Sequence, residues 1–281
     1  MAESEDFHRC AWGTGYANFM HEKATPHISA FNMTARGFFA GYDALSSEYG
    51  FLGAGVGYSD TSIYLWNDTN STIQSAIAAL YGTWTRWNFF YEGSITLAYN
   101  RISNQRHIFF IGYDAIATSS HDDWQFAPHL GLGYDIQFDW GALEPYTLLD
   151  YVFNWESPYR EYHATLVSTQ QRSRASSILR SEVGLAAYQD WETQTGMITL
   201  NETIAYVNRA FIQRGHLVAN FVGQGGNYTA AVFDRTENLF APSFEVYFKT
   251  PANFYTTATY LGEFGSESHA NQIRVTFGKY F

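Results

Sequence analysis

The sequence Gln272-Ile-Arg-Val-Thr-Phe-Gly-Lys-Tyr-Phe281 decides the fold. Four apolar side chains fall on one face of this stretch when it is read by twos: Ile273, Val275, Phe277 and Phe281. A period of two predicts a half-buried β-strand. Soluble domains usually let their last residues fray, whereas this strand ends on a bulky apolar group. A strand that closes a membrane β-barrel has to pair with the first strand and leave no edge, so we expect 272–281 to pair with 10–18.

The composition favours a membrane barrel over a soluble domain. Aromatic residues make up 19% of the 281 residues and charged residues only 15%, against about a quarter in soluble proteins. A soluble surface needs more charge than this. No apolar run approaches the roughly 20 residues of a transmembrane helix. Membrane β-strands of about 9–11 residues are apolar at every second position, which agrees with the mean hydropathy of -0.24.

Charge, cysteine content and the first residues exclude other classes. The net charge of -11 argues against nucleic acid as a partner. The single Cys10 excludes an intrachain disulfide and a cysteine zinc site. The acidic start, residues 1–6, has no apolar stretch of a signal peptide. Because a barrel of an outer membrane has to be exported first, we expect the chain to be a C-terminal piece of a longer protein or to have lost its true start.

Alternation recurs along the whole chain, most clearly at 126–140, where Leu130, Leu132 and Tyr134 oppose Gly131, Gly133 and Asp135. Twelve segments are predicted as strands: 9–18, 30–43, 50–60, 73–86, 89–100, 125–139, 143–155, 176–189, 196–208, 237–249, 253–264 and 269–281. Short connections at 44–49, 86–88, 140–142, 190–195 and 250–252 interleave with long ones at 61–72, 101–124, 156–175 and 209–236. This rhythm is typical of outer-membrane barrels, with tight periplasmic turns, longer outer loops and both termini on the periplasmic side. A soluble β-sandwich or barrel is the alternative, but it does not need so many outward aromatic residues.

Several short motifs, taken in their order, resemble the β-domain of autotransporters, the type V secretion proteins. They are Trp12, RGFFAGYD at 36–43, FLGAGVGYS at 51–59, AALYG at 78–82, LEPY at 143–146 and the last strand that ends on Phe281. The resemblance implies a single translocator domain over 1–281, through which an N-terminal passenger reaches the cell surface. It further implies a monomer in outer-membrane lipid, recognised by the barrel-insertion machinery through the last strand. Ile273, Val275, Phe277 and Phe281 are the candidate insertion signal.

The chain departs from the family pattern at two places. Lys279 stands where the family has an aromatic or aliphatic residue, which affects insertion unless its side chain reaches the interface. Only about six residues precede the first strand, so we expect the passenger and the helix that the family threads through its pore to be absent from this chain.

Charged residues opposite the apolar faces are the candidate functional residues, because that face of a membrane barrel is the lumen. They are Arg36, Glu92, His129, Asp135, Asp150, Arg180, Glu182, Glu245 and Arg274. Two interpretations stay open: these groups contact a transiting or resident segment, or they pair across strands and stiffen the wall.

Catalytic motifs, metal-binding motifs and phosphate-binding glycine loops are not found, so we expect no enzyme, metal site or cofactor. His121-Asp122-Asp123, predicted in an outer loop, is the feature that favours a barrel hydrolase. Three hypotheses follow. The first is a twelve-stranded translocator, the second a stand-alone diffusion channel, and the third a hydrolase that acts from outer loops.

Overall fold

Twelve long antiparallel strands form a closed barrel in the computed structural model, which describes residues 9–24, 29–66, 68–165, 167–213, 217–222, 227–230 and 236–281. The strands are β1 (Cys10–Glu22), β2 (Phe31–Ser47), β3 (Gly50–Leu65), β4 (Thr69–Arg86), β5 (Phe89–Phe110), β6 (Tyr113–Tyr134), β7 (Gly141–Glu156), β8 (Arg174–Thr193), β9 (Gly196–Gln213), β10 (Glu237–Lys249), β11 (Phe254–Phe264) and β12 (Ser268–Tyr280). Each strand pairs with its neighbours in sequence. The predicted all-β barrel of about twelve strands is confirmed. In the described ranges, no helix has the length and apolarity to cross a membrane.

The last strand closes the barrel on the first, as predicted. β12 pairs antiparallel with β1 from Cys10↔Tyr280 to Glu22↔Ser268. Every residue of β1 therefore has a partner on both sides, since β2 pairs with the same thirteen residues. Neither strand leaves an open edge here, so the junction that closes the barrel satisfies its backbone groups without water.

The outer wall carries an apolar band between two sets of aromatic residues. Phe89 and Tyr134 pack edge to face, 4.8 Å between ring centroids, at one end of the β5–β6 pair. Tyr99 and Trp124 pack at 5.1 Å farther along the same strands. Aromatic side chains at two levels mark the two interfaces of a membrane, and the segment between them matches the 9–11 residues that span a bilayer.

The two ends of the barrel differ. At the end that holds both termini, which we call the terminus end, the strands join through tight turns. Trp87 and Asn88 form one of them with φ of 52° and 68°, the left-handed pair of a two-residue type I′ hairpin. At the opposite end, the loop end, several strands extend beyond the apolar band. The short connections predicted from the sequence lie at the terminus end.

Two of the predicted long loops are instead strand. β5 and β6 stay paired up to Phe110↔Tyr113, so the predicted loop 101–124 is a hairpin with a turn at Ile111 and Gly112. Likewise β3 and β4 pair up to Leu65↔Thr69, across most of 61–72. Beyond the band the outer face of these strands no longer meets lipid and carries polar side chains such as Ser103 and Ser120, so alternation is lost while backbone pairing continues. Long connections occur where 156–175 and 209–236 predict them, but β9 extends to Gln213, so residues 209–213 are strand and not loop.

These two connections contribute a small four-stranded sheet at the loop end. Its strands are Tyr159–Arg160, Thr169–Gln171, Leu217–Phe221 and Tyr228–Ala230. An isolated bridge between Thr118 and Tyr162 joins the connection after β7 to the outer part of β6. We call this connection, residues 157–165 and 167–173, the strap.

Inward aromatic rings lie flat on glycines of neighbouring strands. A Cβ at Gly53 would come within 2.6 Å of the Tyr81 ring, and one at Gly41 within 2.6 Å of Trp12. Glycine is required at these positions because a side chain there would displace the ring. The rings consequently cover the wall rather than fill the lumen.

Candidate functional site

The inner face of the barrel holds eight of the nine predicted lumen residues. Exposed apolar side chains such as Leu130 and Phe277, 64% and 65% exposed, mark the outer face. The positions between them on each strand belong to the inner face. Glu92, His129, Asp135, Asp150, Arg180, Glu182, Glu245 and Arg274 occupy such positions.

Arg36 does not lie on the inner face, so its predicted position in the lumen is wrong. It shares a face with Phe38 and Tyr42, which are 59% and 42% exposed, and it lies directly across from Asp60 on β3. Phe38 and Phe39 are consecutive, so both faces of β2 carry a large apolar group and the sequence does not distinguish them. Phe39 is the inward ring, since it stacks with Trp12 at 5.7 Å.

His129 starts a continuous chain of polar contacts along the inner wall. Its Nδ1 lies 2.6 Å from Oδ1 of Asp150 and its Nε2 lies 3.0 Å from Oε1 of Glu92. Arg180 donates to the other oxygen of Asp150 at 3.0 Å and to Glu182 at 2.6 Å. Five residues on β5, β6, β7 and β8 thus form one network.

Arg180 carries this network across the interior. Its guanidinium also donates to Glu263 at 2.9 Å, although β9 and β10 separate β8 from β11 in the wall. A contact that skips two strands passes through the inside of the barrel. Glu263 accepts in turn from Arg209, whose guanidinium lies 3.7 Å from Glu237.

Arg209, Glu237 and Glu263 are functional candidates that the sequence reasoning missed. The signal for Glu263 was present: it alternates with Tyr260 and Phe264, whose rings point outward. Arg209 lies one residue beyond the strand predicted at 196–208, where alternation had ended.

The remaining predicted residues lie apart from this network. Arg274 lies 3.6 Å from Glu245, which also accepts a hydrogen bond from Thr259 at 2.6 Å. Asp135 lies at the terminus end, where its carboxylate accepts from the Gln137 amide at 2.6 Å. The structure therefore divides the predicted set into one large network, one small pair and a residue at the rim.

Side chains from opposite walls narrow the lumen at the level of Arg180. Asn18 on β1 and Tyr146 on β7 line the same interior cavity of about 310 Å³ as Arg180 and Glu182. Eight of its 13 lining residues have polar or charged side chains. The cavity is therefore suited to water and to polar or charged groups of a polypeptide.

Aromatic hydroxyls form a second layer at the terminus end, which the sequence did not predict. The Trp12 indole donates to the Tyr81 hydroxyl at 2.8 Å, and Tyr81 donates to Asp43 at 2.7 Å. On the other side Tyr255 packs between Tyr247 and Tyr280, with centroids 5.5 and 5.2 Å away. These rings give the terminus end of the lumen a rigid, amphipathic wall.

The four candidate insertion residues all lie on the lipid face. Their exposed fractions are 55% for Ile273, 37% for Val275, 65% for Phe277 and 62% for Phe281. The Lys279 ammonium lies 4.8 Å from the Phe254 ring and 5.2 Å from the Phe281 ring. Cation–π contacts of this kind accommodate the charge that departs from the family pattern.

His121 and Asp123 lie in strand β6 and not in a loop, which corrects the prediction. His121 is 7% exposed, its ring stacks on Tyr159 at 4.0 Å, and its Nε2 lies 2.8 Å from Glu156. Asp123 accepts from the Asn100 amide at 2.6 Å. Both side chains are thus covered and engaged in the wall, an arrangement that gives a substrate no access.

The strap is held to the inner face of the β5–β6 hairpin by an ion pair. Arg106 donates through Nε and a terminal nitrogen to the two oxygens of Glu161, at 2.9 and 2.6 Å. The Thr169 N–H donates to the same carboxylate at 2.8 Å. Burial of Glu161 opposes its ionisation, but Arg106 and Thr169 stabilise the carboxylate more strongly and hold its pKa below the usual value. Across the described residues, no group of three or more His, Cys, Asp or Glu forms a metal site.

Comparison with known proteins agrees with this architecture. Residues 11–261 match the family model of the autotransporter beta-domain. Outer membrane protein B of Rickettsia rickettsii is 24% identical over 207 residues, which are 70% of this chain and 12% of the relative. The corresponding protein of Rickettsia typhi is 24% identical over 184 residues, 62% of this chain and 11% of the relative. This chain thus spans about an eighth of the length of these relatives.

Solved structures show the same fold at low sequence identity. The translocator domain of the autotransporter NalP from Neisseria meningitidis superposes with a TM-score of 0.80 at 14% identity, covering 99% of this chain and 90% of that one. The beta domain of the Bordetella autotransporter Brka gives 0.74 at 12% identity, covering 98% and 100%. The chain belongs to the autotransporter β-domain family.

Proposed function

We propose that this barrel lets an N-terminal passenger polypeptide cross the outer membrane and reach the cell surface. The observation that carries the proposal is the polar, charged inner wall, which runs from Glu92 through Arg180 to Glu237. Such a wall stays hydrated and forms many weak contacts, so an extended chain can move along it without a single tight binding site. Family membership supports the same role.

The barrel is proposed to stand with its termini in the periplasm and its loop end outside. Tight turns at the terminus end and long or protruding connections at the loop end support this orientation. We further propose that residues 1–281 act as one domain and as a monomer, because the apolar band lies all around the outer wall. The last strand, with Phe277 and Phe281 toward lipid, is proposed to be what the insertion machinery recognises. No enzymatic step is part of the proposal.

A surface-display experiment tests the function. An export signal and a small unstructured reporter are fused before residue 1, and whole cells are treated with a protease that does not enter them. We expect the reporter to be cleaved in intact cells only when the barrel follows it. A matched control carries the same reporter on a variant that lacks β12 and so cannot close. A reporter that stays protected in intact cells while the barrel is folded in the outer membrane contradicts the proposal.

Conductance separates translocation from the diffusion-channel alternative. The purified chain without a reporter is inserted into planar bilayers. A translocator whose lumen narrows at Arg180 gives small, fluctuating conductance, whereas a diffusion channel gives a steady open level.

A further inference from the structure

We infer that the outer part of β6 is a strand-addition site for an extended segment of the exported chain. This inference rests on the proposed function, since it assigns the surface that the polypeptide meets as it leaves the barrel. Three observations carry it: an open backbone edge, a bridge that already uses this edge, and its position beside the strap.

The edge opens where β7 ends. The β6–β7 ladder runs outward to Asp123↔Glu156, and the Ser157 N–H still donates to the Asp122 carbonyl at 2.9 Å. β6 continues from there to Tyr113. On its other side it stays paired with β5 as far as the turn. In the part of the chain that the structure describes, no strand pairs with this side of β6 between Tyr113 and Asp122 apart from the bridge at Thr118, so this side is an edge.

In an antiparallel sheet the backbone N–H and C=O groups of successive residues point to opposite sides of the strand, which determines the residues of β6 whose groups point to the open edge. The Thr118 N–H donates to the Tyr162 carbonyl at 3.0 Å, and the Tyr162 N–H donates to the Thr118 carbonyl at 2.9 Å. Thr118 thus directs its backbone groups away from β5, and so do the residues two and four positions away. Ser120, Ile116 and Asp114 occupy those positions, and the part of the chain that the structure describes gives their outward backbone groups no strand partner.

The bridge at Thr118 indicates that the natural partner is an extended polypeptide. Tyr162 pairs with the edge in the antiparallel, two-bond form by which a new strand joins a sheet. Proteins usually protect an open edge with Lys or Pro, and residues 113–122 contain neither. Side chains beside Ile116 do not block the approach of an added strand either, because its neighbours Ala115 and Ala117 are small.

The edge lies at the loop end, where the exported chain is proposed to leave the barrel. The strap leaves β7 beside it and binds the inner face of the hairpin through Glu161 and Arg106. An emerging chain passes this point before it is free of the barrel. Complete addition from Ser120 to Asp114 requires Tyr162 to give up Thr118, so docking of the chain also loosens the strap.

Proline at position 116 tests the inference with little effect on the hairpin. The Ile116 N–H points to the open edge, so Ile116→Pro removes a donor for the added strand and no β5–β6 hydrogen bond. Ile116→Ala keeps the N–H and is the matched control. Asp114→Pro, at another open position, is the second variant if the first does not fold, and Asp114→Ala is its control, because both lose the contact between Asp114 and His107. All variants are first checked for a folded barrel by their heat-modifiable migration in gels.

The measurement is photocross-linking from Ser120. A benzoylphenylalanine replaces Ser120, and the fused reporter carries a folded domain that stalls it in transit. We expect cross-links between the barrel and the reporter, a yield about fivefold lower in the proline variants, and no change with Ile116→Ala. Equal yields in all variants overturn the inference, and so do cross-links only between two barrels.

Failure of the two proposals can be distinguished. If the unstructured reporter reaches the surface but the stalled reporter gives no cross-link from position 120, the strand-addition site is overturned and translocation stands. If the unstructured reporter never reaches the surface, both proposals are overturned.

Discussion

Replacement of Arg180 by Gln is the sharpest test of the interior network. Arg180 hydrogen bonds to Asp150, Glu182 and Glu263, and its side chain is only 24% exposed. Gln keeps much of the volume and a polar end, but it removes the charge that holds three carboxylates together. The three carboxylates then repel one another, and Arg209 is the remaining guanidinium of the network.

The expected loss is large because the partners stay in place. Removal of one partner from a buried ion pair costs about 3–5 kcal/mol. Water in the lumen screens the remaining charges, so we take the lower value of about 3 kcal/mol. At about 1.36 kcal/mol per tenfold change, this corresponds to a roughly 160-fold shift of the unfolding equilibrium. Arg180→Lys is expected to recover only part of it, because a single ammonium cannot bridge three carboxylates as a guanidinium does.

Urea unfolding in lipid vesicles measures this free energy, with heat-modifiable gel migration to report the folded fraction. Arg36→Gln is the matched control, since Arg36 lies exposed on the outer face, and its effect should stay within about 0.5 kcal/mol. If Arg180→Gln costs less than about 1 kcal/mol, or no more than Arg36→Gln, the network does not stabilise the wall as argued.

Three further predictions concern the strap, the lipid face and the glycine contacts. The pKa of Glu161 is held below its usual value, so its stabilising effect is complete above the unfolded pKa of about 4.3 and is lost as the pH falls through the lower folded value; the protection of the Thr169 amide against hydrogen exchange, relative to an unstructured amide at the same pH, should fall there. Phe277→Ser removes a lipid-facing ring worth about 2–3 kcal/mol and should lower the yield of folded barrel in the outer membrane. Gly53→Val forces the Tyr81 ring from the wall and should cost about 1–3 kcal/mol in urea unfolding.

Each of these predictions has a control. Glu161→Gln should make the protection of the Thr169 amide, relative to an unstructured amide at the same pH, independent of acid; an acid response that persists would place its origin elsewhere. Phe277→Leu, which keeps an apolar side chain toward lipid, should leave the folded yield nearly unchanged; an equal drop would mean that contact with lipid is not the cause. Tyr81→Ala should restore stability to the Gly53→Val barrel relative to its own background, and a fully additive loss would contradict the ring contact.

The barrel could be predicted because the bilayer imposes a regular pattern on every strand it contains. Where lipid meets one face and water the other, every second residue is apolar, as in Leu130, Leu132 and Tyr134. The pattern stops at the interface, so the strands beyond it are not predicted. Residues 101–124 lie mostly in strands, but these strands have no apolar face. His121 was consequently assigned to a loop, although it belongs to the wall.

For the interior, the sequence predicts which residues lie on the inner face but not which of them contact one another. Alternation placed eight of nine charged residues on the inner side, but it does not tell which of them meet. Arg180 and Glu263 are brought together by the curvature of the wall, and no spacing in the sequence encodes that. Arg36 was assigned to the wrong face because Phe38 and Phe39 are adjacent and either could have pointed outward.

Closure of the barrel by β1 and β12 has a kinetic consequence. Thr14 and Thr276 are hydrogen bonded although 262 residues separate them, whereas the other barrel strands pair with neighbours in sequence. Chain entropy makes this junction roughly 2 kcal/mol harder to form than a hairpin of ordinary length. Eleven pairings can therefore form as a growing, curved sheet, and the twelfth waits for the last strand to emerge. Until then the sheet has two edge strands with unpaired backbone groups, which can pair with other chains. Whether a partner shields these edges during assembly therefore determines whether the chain forms a barrel or an aggregate.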